Sequence, residues 1–296
     1  MDITESIHRA AAALFQADAV LITAGAGMGV DSGLPDFRGN QGFWKAYPPI
    51  ARLGLSFSEM ANPMWFERNA PLAWGFYGHR LNLYRQTVPH AGFRQLLELV
   101  NQKKGGYFVF TSNVDGHFQD AGFDEERIAE CHGSIHFFQC CQPCHQKIWD
   151  GRHTRIVVDE ETLTARDPLP RCPKCGSVAR PNILMFGDWA WVSDRTDRQS
   201  QHLQRWLQEL TIQKLRLVVI EIGAGESVPT VRMKSEHVAR THKAPLIRIN
   251  PRDYRVPHGQ IALPLGAAEA IERIYRAIRE GMVSYPTPTS GYRSRD

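Results

Sequence analysis

Cysteine pairs carry the strongest chemical signal in this chain. Cys172-Pro-Lys-Cys175-Gly has the spacing of a zinc knuckle, and a second cluster, Cys140-Cys141-Gln142-Pro143-Cys144, lies upstream of it. Two such pairs offer four thiolates that can close a tetrahedron around zinc. The residues alone leave the first pair open between Cys141-x2-Cys144 and Cys140-x3-Cys144. An all-cysteine shell keeps no position for water, so the metal would be structural, stiffening a segment with little core of its own. All six cysteines fall between Cys131 and Cys175, which suits a metal site better than a disulfide framework spread along the chain.

A second chemical feature is the glycine-rich stretch GAGMGVDSGLPDFRG, residues 25–39. Gly25, Gly27 and Gly29 would let the backbone turn tightly and bring N–H groups to a diphosphate at a helix start. Its spacing is not the G-x-G-x-x-G of hydride-transfer dehydrogenases, and no acidic residue closes a second strand where that fingerprint needs one. A third constellation combines Thr111-Ser112-Asn113-Val114-Asp115 with Glu130-Cys131-His132-Gly133. Asn and Asp at a strand end can orient a sugar and an amide, and His132 can serve as a general base near neutral pH.

These residues need elements to hold them. Ala19–Thr23, Tyr107–Thr111, Leu215–Ile222 and Leu246–Asn250 are short apolar runs, and each exits into glycine or polar residues. Such runs predict buried parallel strands, and the helical segments between them predict an open α/β Rossmann-like sheet with ligands at its carboxyl edge. Two regions break the alternation. Residues 41–88 are rich in Trp, Phe, Tyr and Leu, with helical spacing from Trp65 to Tyr84, and predict a helical insertion; residues 133–180 carry the cysteines. Together they predict a smaller lobe. The expected division is therefore 1–40, 89–132 and 181–282 for the large lobe, 41–88 and 133–180 for the small one, and a flexible Pro/Ser/Thr-rich tail over 283–296.

At 296 residues with 43% hydrophobic and 22% charged residues, the chain can bury full-sized cores. Its net charge of +4, without a basic run, gives no electrostatic footprint for nucleic acid. The opening MDITESIHRAAAALF lacks the basic flank and apolar core of a signal peptide, and no apolar stretch is long enough to span a membrane. A cytoplasmic protein without membrane partners is expected.

GAGMGVDSGLPDFRG, TSNVDGHFQDAG, ECHGSIH, the paired cysteines, RPNILMFGD, GAGESVP, RIN and LGAAEA occur in the order and at about the spacing of the sirtuins. Over roughly residues 5–280 the chain resembles this family of NAD-dependent protein-lysine deacylases. The resemblance implies a dinucleotide-binding lobe, a zinc lobe, and NAD consumed as a co-substrate. It implies that His132 deprotonates a ribose hydroxyl after the acyl-lysine oxygen has displaced nicotinamide, with transfer of the acyl group to ADP-ribose. By the same match Asn113 and Asp115 position ribose, water and the nicotinamide amide, while Asp36, Phe37 and Arg38 cover the reacting sugar. Gly25, Ala26 and Gly27 would face the diphosphate, Gly223, Ala224 and Gly225 would line the cofactor site, and Asn250 would lie near the adenosine ribose. An acylated protein or peptide would lie along Ile183, Phe186 and Gly187. The family's histidine-to-cysteine register selects Cys140, Cys144, Cys172 and Cys175 as zinc ligands, with Cys141 the substitute for Cys140.

Tyr77-x-x-Arg80 stands where sirtuins that prefer acidic acyl groups carry the same pair, implying a phenol and a guanidinium that bond a succinyl or malonyl carboxylate. A surface arginine on a helical lobe is the plainer expectation for Arg80. Several positions depart from the family: Gly29 for a common Ser, Ser112 for Gln, His117-Phe118 for Leu-His, and Ala224-Gly225 for Thr-Ser. The last of these removes two hydroxyl donors from the cofactor site. An ADP-ribosyltransferase or NAD glycohydrolase is the competing enzymatic reading, and an NAD-sensing binding module the competing non-enzymatic one.

Overall fold

Because Ala19–Ala24 is apolar but for one threonine, it can be covered on both faces, and all six residues of this strand, β1, are buried. The structure, a computed structural model, describes residues 2–35, 39–142 and 144–281. Asp36, Phe37, Arg38 and the expected tail lie outside them. In chain order β1 is followed by β2 (Tyr107–Thr111), β3 (Ile128–Glu130), β4 (Gly133–Cys140), β5 (Trp149–Asp150), β6 (Val158–Asp159), β7 (Thr164–Ala165), β8 (Ala179–Ile183), β9 (Leu217–Ile222), β10 (Leu246–Ile249) and β11 (Ile261–Leu263).

Six of these form one parallel sheet in the order β11-β10-β9-β1-β2-β3. The order reverses between β1 and β9, so the chain goes on from these two strands toward opposite sides of the sheet, and their exits edge the crevice where ligands of open α/β sheets are held. Alternate residues of each strand serve opposite faces. Val20, Ile22, Val218 and Ile220 pack against the helices Ile3–Gln16, Ala91–Asn101 and Ala267–Arg279 through Ile7, Leu14, Leu96, Ile271 and Ile274. Leu21, Phe108 and Val219 pack against Asp194–Ile212 and Thr230–Thr241 through Leu203, Trp206, Val231 and Val238.

A separate hydrophobic core joins the helices of the 41–88 region to the small antiparallel sheet β5-β4-β8 and the β6-β7 pair, with Phe43, Phe66, Trp74 and Phe76 meeting Ile135, Phe138 and Ile183. The expected run of helix from Trp65 to Tyr84 is broken once, giving Trp65–Arg68 and Ala70–Gln86. Asn69 makes the break: its side chain accepts the Leu72 N–H at 3.1 Å, capping the second helix, and Pro71 in the first turn needs no donor partner. The expected boundary between residues 180 and 181 falls inside β8, which pairs with β4 in the small sheet. Among the described residues no helix is long and apolar enough to cross a membrane.

Candidate active site

Backbones of the loops leaving β1 and β9 touch. Gly25 donates its N–H to the Ile222 carbonyl at 2.9 Å and Gly27 donates to the Gly223 carbonyl at 3.0 Å. A Cβ at Gly25 would sit 2.8 Å from Ala224 Cα, and one at Gly27 would sit 2.7 Å from Gly223 Cα. Gly223 itself has φ +64. Glycine is thus demanded here by loop against loop, and the glycines also keep the crevice edge free of side chains. His90, which caps the helix that follows it, steadies the first loop. Its Nδ1 accepts the Gly92 N–H, so Nε2 carries the proton and donates to the Met28 carbonyl at 3.1 Å. Asn250 is wholly buried, with Nδ2 donating to the Ala224 carbonyl at 2.8 Å and Oδ1 accepting the N–H groups of Arg252 and Asp253. Both ends of its amide therefore shape the loops leaving β9 and β10. Gly29 faces Leu34, whose Cδ1 would lie 3.0 Å from an added Cβ, so a serine there would have to shift that leucine.

The β2 exit supplies the polar groups. The Thr111 hydroxyl donates to the Ala24 carbonyl at 3.0 Å and accepts the Asn113 N–H at 3.0 Å, and Asn113 Nδ2 donates to the Gly25 carbonyl at 3.0 Å. Asn113 is in this way tied to the glycine loop. Asp115 is buried, and its carboxylate accepts the His117 N–H at 3.0 Å. His132 stands across from them, where the chain leaves β3 of the large sheet and enters β4 of the small one. Gly133 makes that step possible: its φ is +77, and a Cβ would come within 2.1 Å of the Asn182 carbonyl oxygen. The imidazole of His132 is held below its ordinary value by burial, opposed by a hydrogen bond to the Ser112 backbone. At neutral pH the ring is therefore a neutral acceptor, the form a general base requires. Glu130, two residues earlier, is buried and paired with Arg195, and its carbonyl accepts the Thr196 hydroxyl at 3.1 Å, which fixes the end of β3 against the helix Asp194–Ile212.

At the far end of β4 the four expected zinc cysteines converge. Sulfur-to-sulfur distances are 3.6 Å for Cys140–Cys175, 3.7 Å for Cys140–Cys144 and 3.6 Å for Cys144–Cys172, and all four sulfurs lie within 4.8 Å of one another. Zn–S bonds of about 2.3 Å in a tetrahedron require sulfur separations of about 3.8 Å, so the four thiols fit a structural zinc ion. Cys141 is outside this cluster; it packs beside the second core, and burial pushes its thiol up to about 12. His145 accepts the Lys147 N–H on Nδ1 and places Nε2 3.4 Å from Cys172 Sγ.

Arg80 is buried, which sets aside the alternative of a surface residue. Its Nε and Nη2 donate to the Tyr84 hydroxyl at 3.0 and 2.7 Å, and its guanidinium lies within 6 Å of the ring centres of Phe57, Phe76, Tyr77 and Tyr84. Tyr77 is also buried, stacked on Phe66. The 183–190 segment begins with buried Ile183 at the end of β8 and turns through Gly187 at φ +68. Phe186 donates its N–H to the Ala61 carbonyl at 2.9 Å and packs its half-exposed ring edgewise on Phe57. A fully buried pair, Arg180 with Asp188 at 2.6 and 2.8 Å, anchors the segment, which exposes Leu184, Phe186 and, at 99%, Trp189.

The structure thus brings Gly25, Gly27, Asn113, Asp115, Gly223 and His132 to one edge of the sheet, and gathers the four cysteines at the other end of β4. Tyr84 and the Arg180–Asp188 pair were not among the expected site residues. Tyr84 carries a readable signal, four residues after Arg80 on the same helix.

An open parallel α/β sheet whose crevice is edged by glycine loops, joined through a His-Gly step to a four-thiolate module, is the class this fold and site define. The Sir2 family model matches residues 25–207, and the chain belongs to that family. It is 36% identical over 166 residues to an NAD-dependent protein deacylase of Pyrococcus abyssi and 34% identical over 186 residues to one of Thermococcus kodakarensis. Those matches take in 55% and 62% of this chain, and 59% and 65% of the two relatives' own length. A deacylase of Aquifex aeolicus is 26% identical over 88% of this chain and 95% of its own. Among solved structures, a mutant Sir2 homologue in complex with ADP ribose (TM-score 0.65, 23% identity, covering 94% of this chain and 99% of its own) shares the fold. So does a Sir2 homologue in complex with NAD (TM-score 0.65, 24% identity, 93% and 94%).

Proposed function

We propose that the chain removes acyl groups from protein lysines at the expense of NAD and one water, giving the free lysine, nicotinamide and O-acyl-ADP-ribose. One observation carries this reading: His132, kept neutral by burial, faces Ser112 in the loop whose Asn113 is bonded to the glycine turn. The deacylase names of the relatives support the same chemistry. NAD, when bound, supplies a ribose carbon that loses nicotinamide to an incoming nucleophile. The chain's part is to hold the diphosphate along Gly25, Ala26 and Gly27 beside Gly223, Ala224 and Gly225, and to orient the ribose and amide with Asn113 and Asp115. Asp36, Phe37 and Arg38 cover the sugar in this reading, and Asn250 acts through the loop it braces. His132 takes the proton from a ribose hydroxyl at its ring nitrogen. A weak acyl oxygen attacks only when it is positioned closely and water is kept away.

The acyl-lysine peptide lies along Ile183, Phe186 and Gly187, and zinc is held by Cys140, Cys144, Cys172 and Cys175. The large lobe comprises 1–40, 89–132 and the chain after β8, and the small lobe 41–88 and 133–183, so that β8 stays whole beside β4. Tyr77 and Arg80 favour acidic acyl chains, a reading supported by a buried cation amid aromatic rings. A cytoplasmic setting accords with this activity. The test is incubation with NAD and acetyl- or succinyl-lysine peptides, with products read by mass spectrometry. O-Acyl-ADP-ribose from the wild type and none from His132→Ala supports the reading. Free or protein-bound ADP-ribose would replace it with glycohydrolysis or ADP-ribosyl transfer, and intact NAD with measurable binding would leave a sensor module. Arg80→Met should weaken turnover of the succinyl peptide selectively; an equal loss on both peptides rejects the acidic-acyl assignment.

A further inference from the structure

We propose that His136 is a positioning residue that holds the Asn113–Asp115 loop in its working shape; the part of this that concerns catalysis rests on the function proposed above. Regular pairing of β4 fails between Ser134, opposite Asn182, and Phe138, opposite Pro181, so β4 advances four residues while β8 advances one. Such a bulge re-aims side chains, and His136 sits within it. Its carbonyl accepts the Gly151 N–H at 2.7 Å, and its ring points toward the loop leaving β2.

His136 Nε2 lies 2.8 Å from the Asp115 carbonyl oxygen. A carbonyl only accepts, so Nε2 carries the proton. The neighbouring Ile135 N–H donates to the Val114 carbonyl at 3.0 Å. Two successive carbonyls of the loop are therefore held from the bulge, one by backbone and one by the imidazole. The ring also abuts the turn that follows: Gly116 has φ +80, and a Cβ there would come within 2.9 Å of His136 Cδ2 and Nε2. His136 Nδ1 is buried with no hydrogen-bond partner among the described residues, so the bond to Asp115 is the polar tie the ring makes. What it fixes is the backbone between Asn113, tied to Gly25, and the Asp115 carboxylate, tied to the His117 N–H.

The consequence falls on the nicotinamide end of the site and leaves the diphosphate end alone. His136→Phe keeps a ring of similar size but removes the donor, whereas His136→Gln carries an amide N–H to about the reach of Nε2. In the full-length, zinc-loaded protein, amide hydrogen exchange over residues 112–118 should quicken about tenfold in His136→Phe and return toward wild type in His136→Gln, the effect of one hydrogen bond. In turnover, kcat/KM for NAD should fall about tenfold in His136→Phe, with KM for the acyl-lysine peptide and Kd for ADP-ribose unchanged. Unaltered loop exchange in His136→Phe would overturn the proposal. So would a His136→Gln protein as impaired as His136→Phe, or a loss of peptide and ADP-ribose binding in step with kcat/KM, since a general packing defect would do that. A wild-type protein that cleaves no NAD defeats the proposed function instead, and the exchange comparison still decides the role of His136.

Discussion

At the scale of single residues, burial sets the state of the candidate base. His132 is held below its ordinary 6.5 mainly by desolvation, so the neutral ring persists to lower pH than a free imidazole would. If it acts as base, kcat/KM should be flat from about pH 8 to about 7 and its acidic limb should centre below 6.5. A limb centred at or above 6.5 would rule out this ring as the group being titrated. The same direction applies to His79, His90 and His242, each lowered by burial. For a histidine depressed in the folded state, the unfolded chain binds more protons between the two values, so stability is lost as pH falls through that interval. Tm should therefore drop on going from about pH 7 to about 5.5, before carboxylates titrate. A Tm that holds or rises over that span contradicts the sign.

At the scale of elements, the decisive step is the short passage from β3, in the large parallel sheet, to β4, in the small antiparallel one. Two residues, Cys131 and His132, make it, and Gly133 completes it at a φ of +77 with the Asn182 carbonyl where a Cβ would be. Gly133→Ala should cost about 2–4 kcal/mol in denaturant unfolding, combining left-handed strain with the clash. Gly259→Ala is the control: its φ is +83 with nothing within 4 Å, and strain alone should cost about 1 kcal/mol. Equal costs would show that the Asn182 contact does not matter. How much of this was legible follows from what each element buries. β1, β2, β9 and β10 were readable because strands covered on both faces leave uninterrupted apolar runs; β3 and β11, three residues each at the sheet edges, leave none. Asn69-Ala70-Pro71 carried a readable cap that the helical spacing around it masked. The choice between Cys140 and Cys141 was closed to residue spacing, because it depends on where β4 ends. His136 was closed too, since a bulge in pairing with a strand far along the chain aims its ring.

At the scale of the whole molecule, β4 is the bar that joins the two centres of chemistry. It starts beside His132, carries His136 in its bulge and ends at Cys140; eight residues of extended chain span about 27 Å. Zinc at the far end would thus act on the active site by holding the strand. Between Cys141 and Val178 the chain gives the second core the buried side chains Ile156, Leu163, Ala165 and Leu169, but its β5 and β6–β7 pieces are two residues each, so the four thiolates add to what fixes β4 against β8. Cys140→Ser should lose the metal, lower Tm and slow NAD cleavage together, even though Cys140 lies at the opposite end of β4 from His132. Cys141→Ser, outside the cluster, should keep one zinc per chain with Tm and cleavage near wild type. The pair is read by metal analysis, thermal unfolding and turnover on the same preparations. A zinc-free Cys140→Ser protein with wild-type Tm and cleavage would show that β4 is held by its hydrophobic contacts alone; metal lost from Cys141→Ser and kept in Cys140→Ser would reassign the ligand itself.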